Sequence, residues 1–166
     1  MTSKGTLAAV FFVALIILSG LGWLQTRLKD APDVTFSTIT GKKIALKELQ
    51  GKPVVVTFWA TDCPGCIKEI PHLIEVYNEY QEKGLKLIAV AMFYDPPNRV
   101  VAMSKAKQLP YDVALDIQAQ NARAFGDVRL TPTTFLISPD SKIAIRKTGL
   151  FDVQDMKKRI ETMLEG

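Results

Sequence analysis

The chain contains two cysteines, Cys63 and Cys66, which are separated only by Pro64 and Gly65. Two thiols at this spacing can close a disulfide or stand open as a dithiol, so they can perform thiol–disulfide exchange. A purely structural disulfide would close too small a loop to add much stability. A zinc site needs about four ligands, and the sequence offers one histidine and no further cysteine. We therefore expect no metal and no separate cofactor, only a redox-active Cys63–Cys66 disulfide.

A predicted strand and a predicted helix meet at these cysteines. The run 54–59 is β-branched and aromatic, which predicts a buried strand. After Cys66, apolar residues recur at steps of three and four, which predicts an amphipathic helix, and Pro64 suits its first turn. Cys63 then lies at the helix N-terminus, where free N–H groups and the helix dipole stabilise a thiolate. We expect Cys63 to attack and Cys66, one turn inside, to resolve the mixed disulfide.

The rest of the sequence predicts one α/β domain. A second apolar run over 85–92 follows the cysteine helix, so strand, helix and strand form a βαβ unit. Hairpins over 36–46 and 133–147 add antiparallel strands. The expected fold is a mixed sheet with helices on both faces. The net charge of +4 is spread along the chain without a basic cluster interleaved with aromatics, so we expect no nucleic-acid partner.

Residues 7–24 form an uncharged apolar run that reaches the lower range of a membrane-spanning helix. Trp23 lies at its end, where an interfacial aromatic is typical. A cleaved signal peptide is the alternative, because residues 19–22 include small side chains. The apolar run is longer than a usual signal core, so we favour a retained anchor. This divides the chain into an anchor and linker over 1–30 and a domain over 31–166.

Three motifs resemble the thioredoxin superfamily, and in particular its membrane-anchored TlpA/ResA-like branch. They are Phe58-Trp59-Ala60 before the cysteines, Glu69-Ile70-Pro71 after them, and Leu130-Thr131-Pro132-Thr133-Thr134-Phe135-Leu136-Ile137 downstream. Together they extend the resemblance over residues 32–166. It implies a thioredoxin-like mixed sheet flanked by helices and preceded by one transmembrane helix.

The resemblance also implies a function. Proteins of this kind are thiol–disulfide oxidoreductases that exchange electrons with protein disulfide or dithiol substrates, often in cytochrome c maturation or metal-site assembly. The resemblance implies a single-pass protein of the inner (cytoplasmic) membrane whose catalytic domain faces the periplasm or its extracytoplasmic equivalent. Because the anchored branch is mostly reducing, we expect a reductant supplied by a membrane electron donor of the thiol–disulfide transmembrane reductase type.

The resemblance further assigns substrate-binding residues. In the family, the proline that matches Pro132 is cis and faces the cysteine pair, and the residue that matches Thr131 offers its backbone to the substrate chain. Trp59, Pro64 and Gly65 complete the expected substrate-binding surface beside the cysteines.

Several positions depart from the family. Asp62 replaces the usual tryptophan before the first cysteine, and Thr57 replaces the buried aspartate of thioredoxin. ResA-like members carry a glutamate just after the next strand, where the nearest candidate is Asp95, so Asp95 is a candidate for the proton relay behind the second cysteine. Glu69 and His72, on the cysteine helix, are expected to be exposed.

Two functions of other classes are alternatives to disulfide exchange. A Sco-like copper-binding chaperone could use the two cysteines and His72, but Sco-like proteins have three residues between their cysteines and a histidine far downstream. A peroxiredoxin-type peroxidase needs proline and threonine or serine at fixed distances before its cysteine. This chain has Val56 and Ala60 there. A copper titration and a peroxidase assay discriminate these functions from disulfide exchange.

The anchor prediction can be tested by fractionation. We expect residues 7–24 to keep the protein in the membrane pellet after high-salt and carbonate washing, because the apolar run lies in the bilayer. Release of a shortened chain that begins near Trp23 would favour the signal peptide instead.

Asp62 is expected to tune the attacking cysteine. A carboxylate next to Cys63 opposes a second negative charge, so Asp62→Asn should lower the pKa of the Cys63 thiol and make the couple more oxidising. Titration of the thiolate absorbance in both forms measures this. An unchanged or raised pKa in the variant would mean that Asp62 points away from the sulfur.

Overall fold

The structure is a computed structural model, and it describes residues 29–165 of the chain. The predicted anchor over 7–24 and the alternative signal peptide therefore lie outside the described residues. Over residues 29–165, every helix is too short or too polar to span a bilayer.

Within the described residues, seven strands form one mixed sheet. The strands are β1 (Thr35–Thr38), β2 (Lys43–Ala45), β3 (Val54–Trp59), β4 (Lys86–Ala91), β5 (Asp112–Leu115), β6 (Thr133–Ile137) and β7 (Ile143–Thr148). The α-helices are α1 (Pro64–Tyr80), α2 (Pro97–Ala106), α3 (Gln120–Ala124) and α4 (Val153–Glu165), and a 3-10 turn covers Leu46–Leu49. The strand order is β2-β1-β5-β4-β3-β6-β7.

The strand that leads to the cysteines, β3, lies inside this sheet between β4 and β6. β3 pairs in parallel with β4, with Val54 opposite Lys86, and in antiparallel fashion with β6, with Val55 opposite Leu136. All six residues of β3 are buried, which explains its almost uninterrupted apolar run. The predicted βαβ unit is present as β3, α1 and β4, and both predicted hairpins are present as β1–β2 and β6–β7.

Alternate residues of the central strands face two cores. Val55 and Trp59 face the core that α1, α2 and α4 cover, while Val56 and Phe58 face the core that α3 helps to cover. In the second core, Phe58, Phe125 and Phe135 pack edge to face with ring centroids 4.9 to 5.9 Å apart, an arrangement that aromatic rings favour. Helices thus lie on both faces of the sheet, as predicted.

A buried aspartate fixes the short helix α3. The sequence predicts a helix over 118–125, whereas the observed α3 is shorter and begins at Gln120. Asp116 is 4% exposed, and its carboxylate accepts the backbone N–H groups of Asn121 at 3.0 Å and Ala122 at 2.8 Å. These bonds satisfy N–H groups of the first turn that have no partner within the helix. They hold α3 at the end of β5. This is the edge of the sheet at which β3 ends and the cysteine turn begins.

Candidate active site

The two cysteines form a disulfide where β3 passes into α1, and their Cα atoms are 5.2 Å apart. Cys63 is the N-cap of α1, and its Sγ accepts the N–H of Cys66 at 3.1 Å. A thiolate at this position would receive the same donor and the positive end of the helix dipole. Cys63 is partly exposed, whereas Cys66 is 2% exposed. The difference in exposure agrees with the attacking and resolving roles predicted for the two cysteines.

The loop before β6 packs directly on the cysteine turn. The Thr131–Pro132 peptide is cis, as the resemblance implies. A Cβ added at Gly65 would lie 3.2 Å from Cδ of Pro132, so the proline ring lies against Gly65, one of the two residues between the cysteines. The N–H of Gly149 donates to the Pro132 carbonyl at 2.8 Å and holds the loop from its other side. Thr131 is partly exposed.

The other predicted site residues lie around this turn. Trp59 is 4% exposed and packs behind Cys66, whereas Pro64 lies exposed at the start of α1. Asp62 and His72 are exposed. Over residues 29–165, no group of three or more His, Cys, Asp or Glu side chains is arranged to hold a metal ion.

Glu69 is not exposed, and the expectation that it would be is wrong. It is 2% exposed, and its carboxylate accepts the Thr134 hydroxyl at 3.4 Å and the Phe151 N–H at 3.3 Å. The reason is its place on α1: it follows Cys66 by three residues and precedes Leu73 by four, so it lies in the apolar stripe that faces the core. This spacing was the signal in the sequence that could have placed Glu69 inside.

Burial changes the chemistry of this carboxyl group. It raises the pKa of Glu69 from 4.5 to about 7, because an apolar environment disfavours the charged form, and the two hydrogen bonds only partly oppose this. Burial also raises the pKa of the neighbouring Tyr111 phenol, and the charge of Glu69 raises it further. Glu69 can therefore gain or lose a proton near neutral pH.

A small cavity joins this carboxyl group to the resolving cysteine. Its volume is about 10 Å³, close to the space that one water molecule needs. Cys66, Glu69, Trp59 and Tyr111 are among the residues that line it. The indole Nε1 of Trp59 is buried and has no hydrogen-bond partner among the described residues. The cavity is mainly apolar, and it places Cys66 and the Glu69 carboxyl group in the same enclosed space.

Thr57, at the position of the thioredoxin aspartate, connects to the same carboxyl group through a hydroxyl chain. Its Oγ1 is 2.8 Å from that of Thr134, and both residues are buried. Since Thr134 donates to Glu69, Thr57 donates to Thr134. In this chain the buried carboxyl group near the cysteines is therefore Glu69 on α1. Thr57 on β3 carries a hydroxyl group, which contacts Glu69 only through Thr134.

Asp95 does not lie behind Cys66, where a proton-relay residue is expected. It is 6% exposed, and its carboxylate accepts the N–H of Thr61 at 2.6 Å and the hydroxyl of Thr61 at 2.7 Å. Asp95 is not among the residues that line the cavity behind Cys66. It ties the loop after β4 to the loop that carries Cys63, so the structure assigns it a positioning role. Such a contact joins two distant loops and leaves no local pattern in the sequence.

Comparison with known proteins supports this site. The profile of the AhpC/TSA family matches residues 28–146. The chain is 34% identical over 140 residues to the thiol-disulfide oxidoreductase ResA of Bacillus thuringiensis. The aligned region covers 82% of this chain and 76% of that protein. A thioredoxin candidate from Neisseria meningitidis superposes with a TM-score of 0.77 at 31% identity, over 84% of this chain and 93% of that one. A thiol:disulfide interchange protein from Chlorobium tepidum superposes with a TM-score of 0.76 at 26% identity, over 84% of this chain and 98% of that one. The fold is thioredoxin-like.

The buried carboxyl group predicts a pH-dependent stability. Because the pKa of Glu69 is about 7 in the folded chain and 4.5 ordinarily, the folded state binds more protons than the unfolded state between these values. The free energy of unfolding should therefore fall as pH rises through this window, by roughly 3 kcal/mol. Denaturant unfolding of the oxidised protein across this range measures the slope.

Glu69→Gln should remove this contribution to the slope, because an amide does not titrate. Glu82→Gln, at an exposed position, is the matched control and should leave the slope as it is. Parallel profiles for the wild type and Glu69→Gln would show that Glu69 titrates as an ordinary exposed carboxyl group.

Proposed function

The chain belongs to the AhpC/TSA family and is a thiol–disulfide oxidoreductase of the ResA kind, and from this premise we propose that it acts as a reductant of protein disulfides. The observation that carries the proposal is the asymmetric cysteine pair. Cys63 is accessible at a helix N-terminus, while Cys66 is shielded and shares a cavity with Glu69.

The proposed reaction has two exchange steps. The Cys63 thiolate attacks one sulfur of the substrate disulfide, the substrate S–S bond breaks, and the second substrate sulfur leaves as a thiolate that takes up a proton. Cys66 then attacks the Sγ of Cys63, the mixed disulfide breaks, and the first substrate sulfur leaves. Two electrons have passed from the enzyme dithiol to the substrate, and the Cys63–Cys66 disulfide remains. We propose that this disulfide is the sole redox group.

Glu69 is proposed to accept the proton of Cys66 in the second step. Both groups line the cavity of about 10 Å³, so a proton can cross it without reaching bulk solvent. A pKa of about 7 suits a group that must take a proton near neutral pH and release it again. The hydroxyl of Thr134 and the N–H of Phe151 fix the direction of the carboxylate.

The direction of electron flow is inferred from charge. A strongly oxidising cysteine pair has a highly stabilised thiolate, and its reduced form is the preferred one. Here Asp62 precedes Cys63, no basic residue lies between the cysteines, and a buried carboxyl group faces Cys66. The two carboxyl groups disfavour a thiolate, and no positive charge between the cysteines offsets them. The disulfide is then comparatively stable, which makes the dithiol a reductant.

The proposed setting is the extracytoplasmic side of the inner membrane, with residues 7–24 as a single-pass anchor. The support for this is the apolar run in the sequence and the similarity to ResA. Since each turnover leaves a disulfide, the proposal requires a membrane electron donor that reduces it again. Cytochrome c maturation or metal-site assembly is the proposed use of the electrons.

A trapping experiment tests the proposed roles of the two cysteines. Cys66→Ser should stop turnover and leave Cys63 joined to its substrate, because the resolving thiol is gone. Mass spectrometry of the adducts isolated from cells would identify the attached cysteine of each partner. The converse variant, Cys63→Ser, should accumulate no adduct. An adduct on Cys66 in that variant would reverse the assignment.

A further inference from the structure

The described part of the chain begins with a segment that is fixed to the sheet. Asp30 pairs with Lys142 in an antiparallel bridge directly before β7, and an ion pair joins their side chains. The backbone of residues 29–31 makes two hydrogen bonds of 2.8 Å with residues 141–143. Backbone and side-chain contacts therefore fix the point at which the chain enters the domain.

This entry point lies at the end of the sheet opposite to the cysteines. Ile143, the first residue of β7, pairs with Ile137 on β6, which in turn pairs with Val54, the first residue of β3. β3 runs from there to Trp59, after which the cysteine turn begins. The far end of the sheet, where β3, β4, β5 and β7 begin, is thus separated from the cysteine turn by the length of β3. A strand of six residues spans about 20 Å.

The link between the proposed anchor and this entry point is short. Four residues, 25–28, separate Leu24, the end of the apolar run, from Lys29. The five steps from Leu24 to Lys29 span at most about 18 Å. Part of this length is needed to cross the lipid head groups, which are about 5 to 7 Å thick on each side of a bilayer. The link therefore cannot span both the head groups and the length of β3, as it would have to if the cysteine turn faced the bilayer.

The charges at the far end are nearly balanced. The turns beside the entry point, over residues 29–31, 50–53, 81–86 and 138–142, contain five lysines and three carboxylates. α4 ends beside them, because the Tyr80 hydroxyl at the end of α1 donates to Glu161 at 2.7 Å, and α4 then continues to Glu165. These two glutamates offset the remaining lysines. A surface of balanced charge gains little from anionic lipids, so the short link, and not attraction to lipid charge, determines which end faces the bilayer.

We propose that the far end of the sheet lies on the lipid head groups and that the cysteine pair faces away from the bilayer, at a height set by the link over residues 25–28. This inference rests on the proposed function, because it takes residues 7–24 as the anchor. The cysteine pair then meets disulfides of soluble proteins or of projecting domains, and not disulfides at the bilayer surface. A membrane electron donor has to present its thiols on a segment that projects from the bilayer.

The test uses the full chain in phosphatidylcholine vesicles, with a fluorescent amino acid at position 140 or at position 117. Asp140 is exposed in the turn between β6 and β7 at the far end, and Ile117 is 68% exposed at the cysteine end. Lipids that carry a nitroxide on the head group quench a fluorophore that lies near them. Quenching should be strong at position 140 and lost at position 117. Replacing part of the lipid by phosphatidylglycerol should leave this difference unchanged, since the surface charge is balanced.

A longer link should abolish the difference. An insert of about ten glycine and serine residues between Leu28 and Lys29 behaves as a flexible coil. Either end of the domain can then reach the bilayer, so quenching should become similar at the two positions. The same insert after Gly41, in the exposed turn between β1 and β2, leaves the link as it is. This matched control should keep the difference.

Equal quenching at the two positions of the unmodified chain, or stronger quenching at position 117, would overturn the orientation and leave the proposed anchor and reductase activity intact. A difference that persists after the insertion before Lys29 would also overturn the inference, because the length of the link would not be its cause. Failure of the chain to sediment with the vesicles after carbonate washing would overturn the proposed anchor and the orientation with it.

Discussion

The structure depends on one constraint, which is that a carboxyl group is buried behind a cysteine. Glu69 is held in the core by its position on α1, and the protein must satisfy its oxygens there. The hydroxyl of Thr134 on β6 and the N–H of Phe151 in the loop before α4 do so, and the hydroxyl of Thr57 on β3 binds Thr134 in turn. The same contacts bring this group into the cavity with Cys66, so core packing and proton transfer share one set of residues.

The edge of the sheet explains how the remaining parts of the site are assembled. β3, β4 and β5 are parallel, so the segments that follow them meet at one edge. The cysteine turn, the residues Phe93 and Tyr94, and Ile117 follow these three strands in that order. Asp95 and Asp116 bind backbone N–H groups of neighbouring segments and fix this edge. The reactive sulfur and the loops around it are thereby held by the same edge of the sheet.

Most of the fold could be predicted from the sequence, because the hydrophobic periods of β3, α1 and β4 are strong and Pro64 marks the helix start. The cysteine chemistry follows from the same local features. The charge of Glu69 suggests exposure, so the expectation from sequence is wrong there, although the spacing of Glu69 from Cys66 places it in the apolar stripe of α1. The partner of Asp95 is Thr61, in a separate loop, so this contact depends on how the two loops meet. Such contacts leave no periodic signal.

The most direct test of this account is the pH dependence of the resolving step. A mixed disulfide between Cys63 and a peptide is formed, and its release by Cys66 is followed in the wild type and in Glu69→Gln. The account predicts that release in the wild type accelerates with an apparent pKa near 7. Glu69→Gln should lose this inflection and be slower by about a hundredfold at neutral pH, because it lacks the proton acceptor. Superimposable pH profiles for the two proteins would contradict the account.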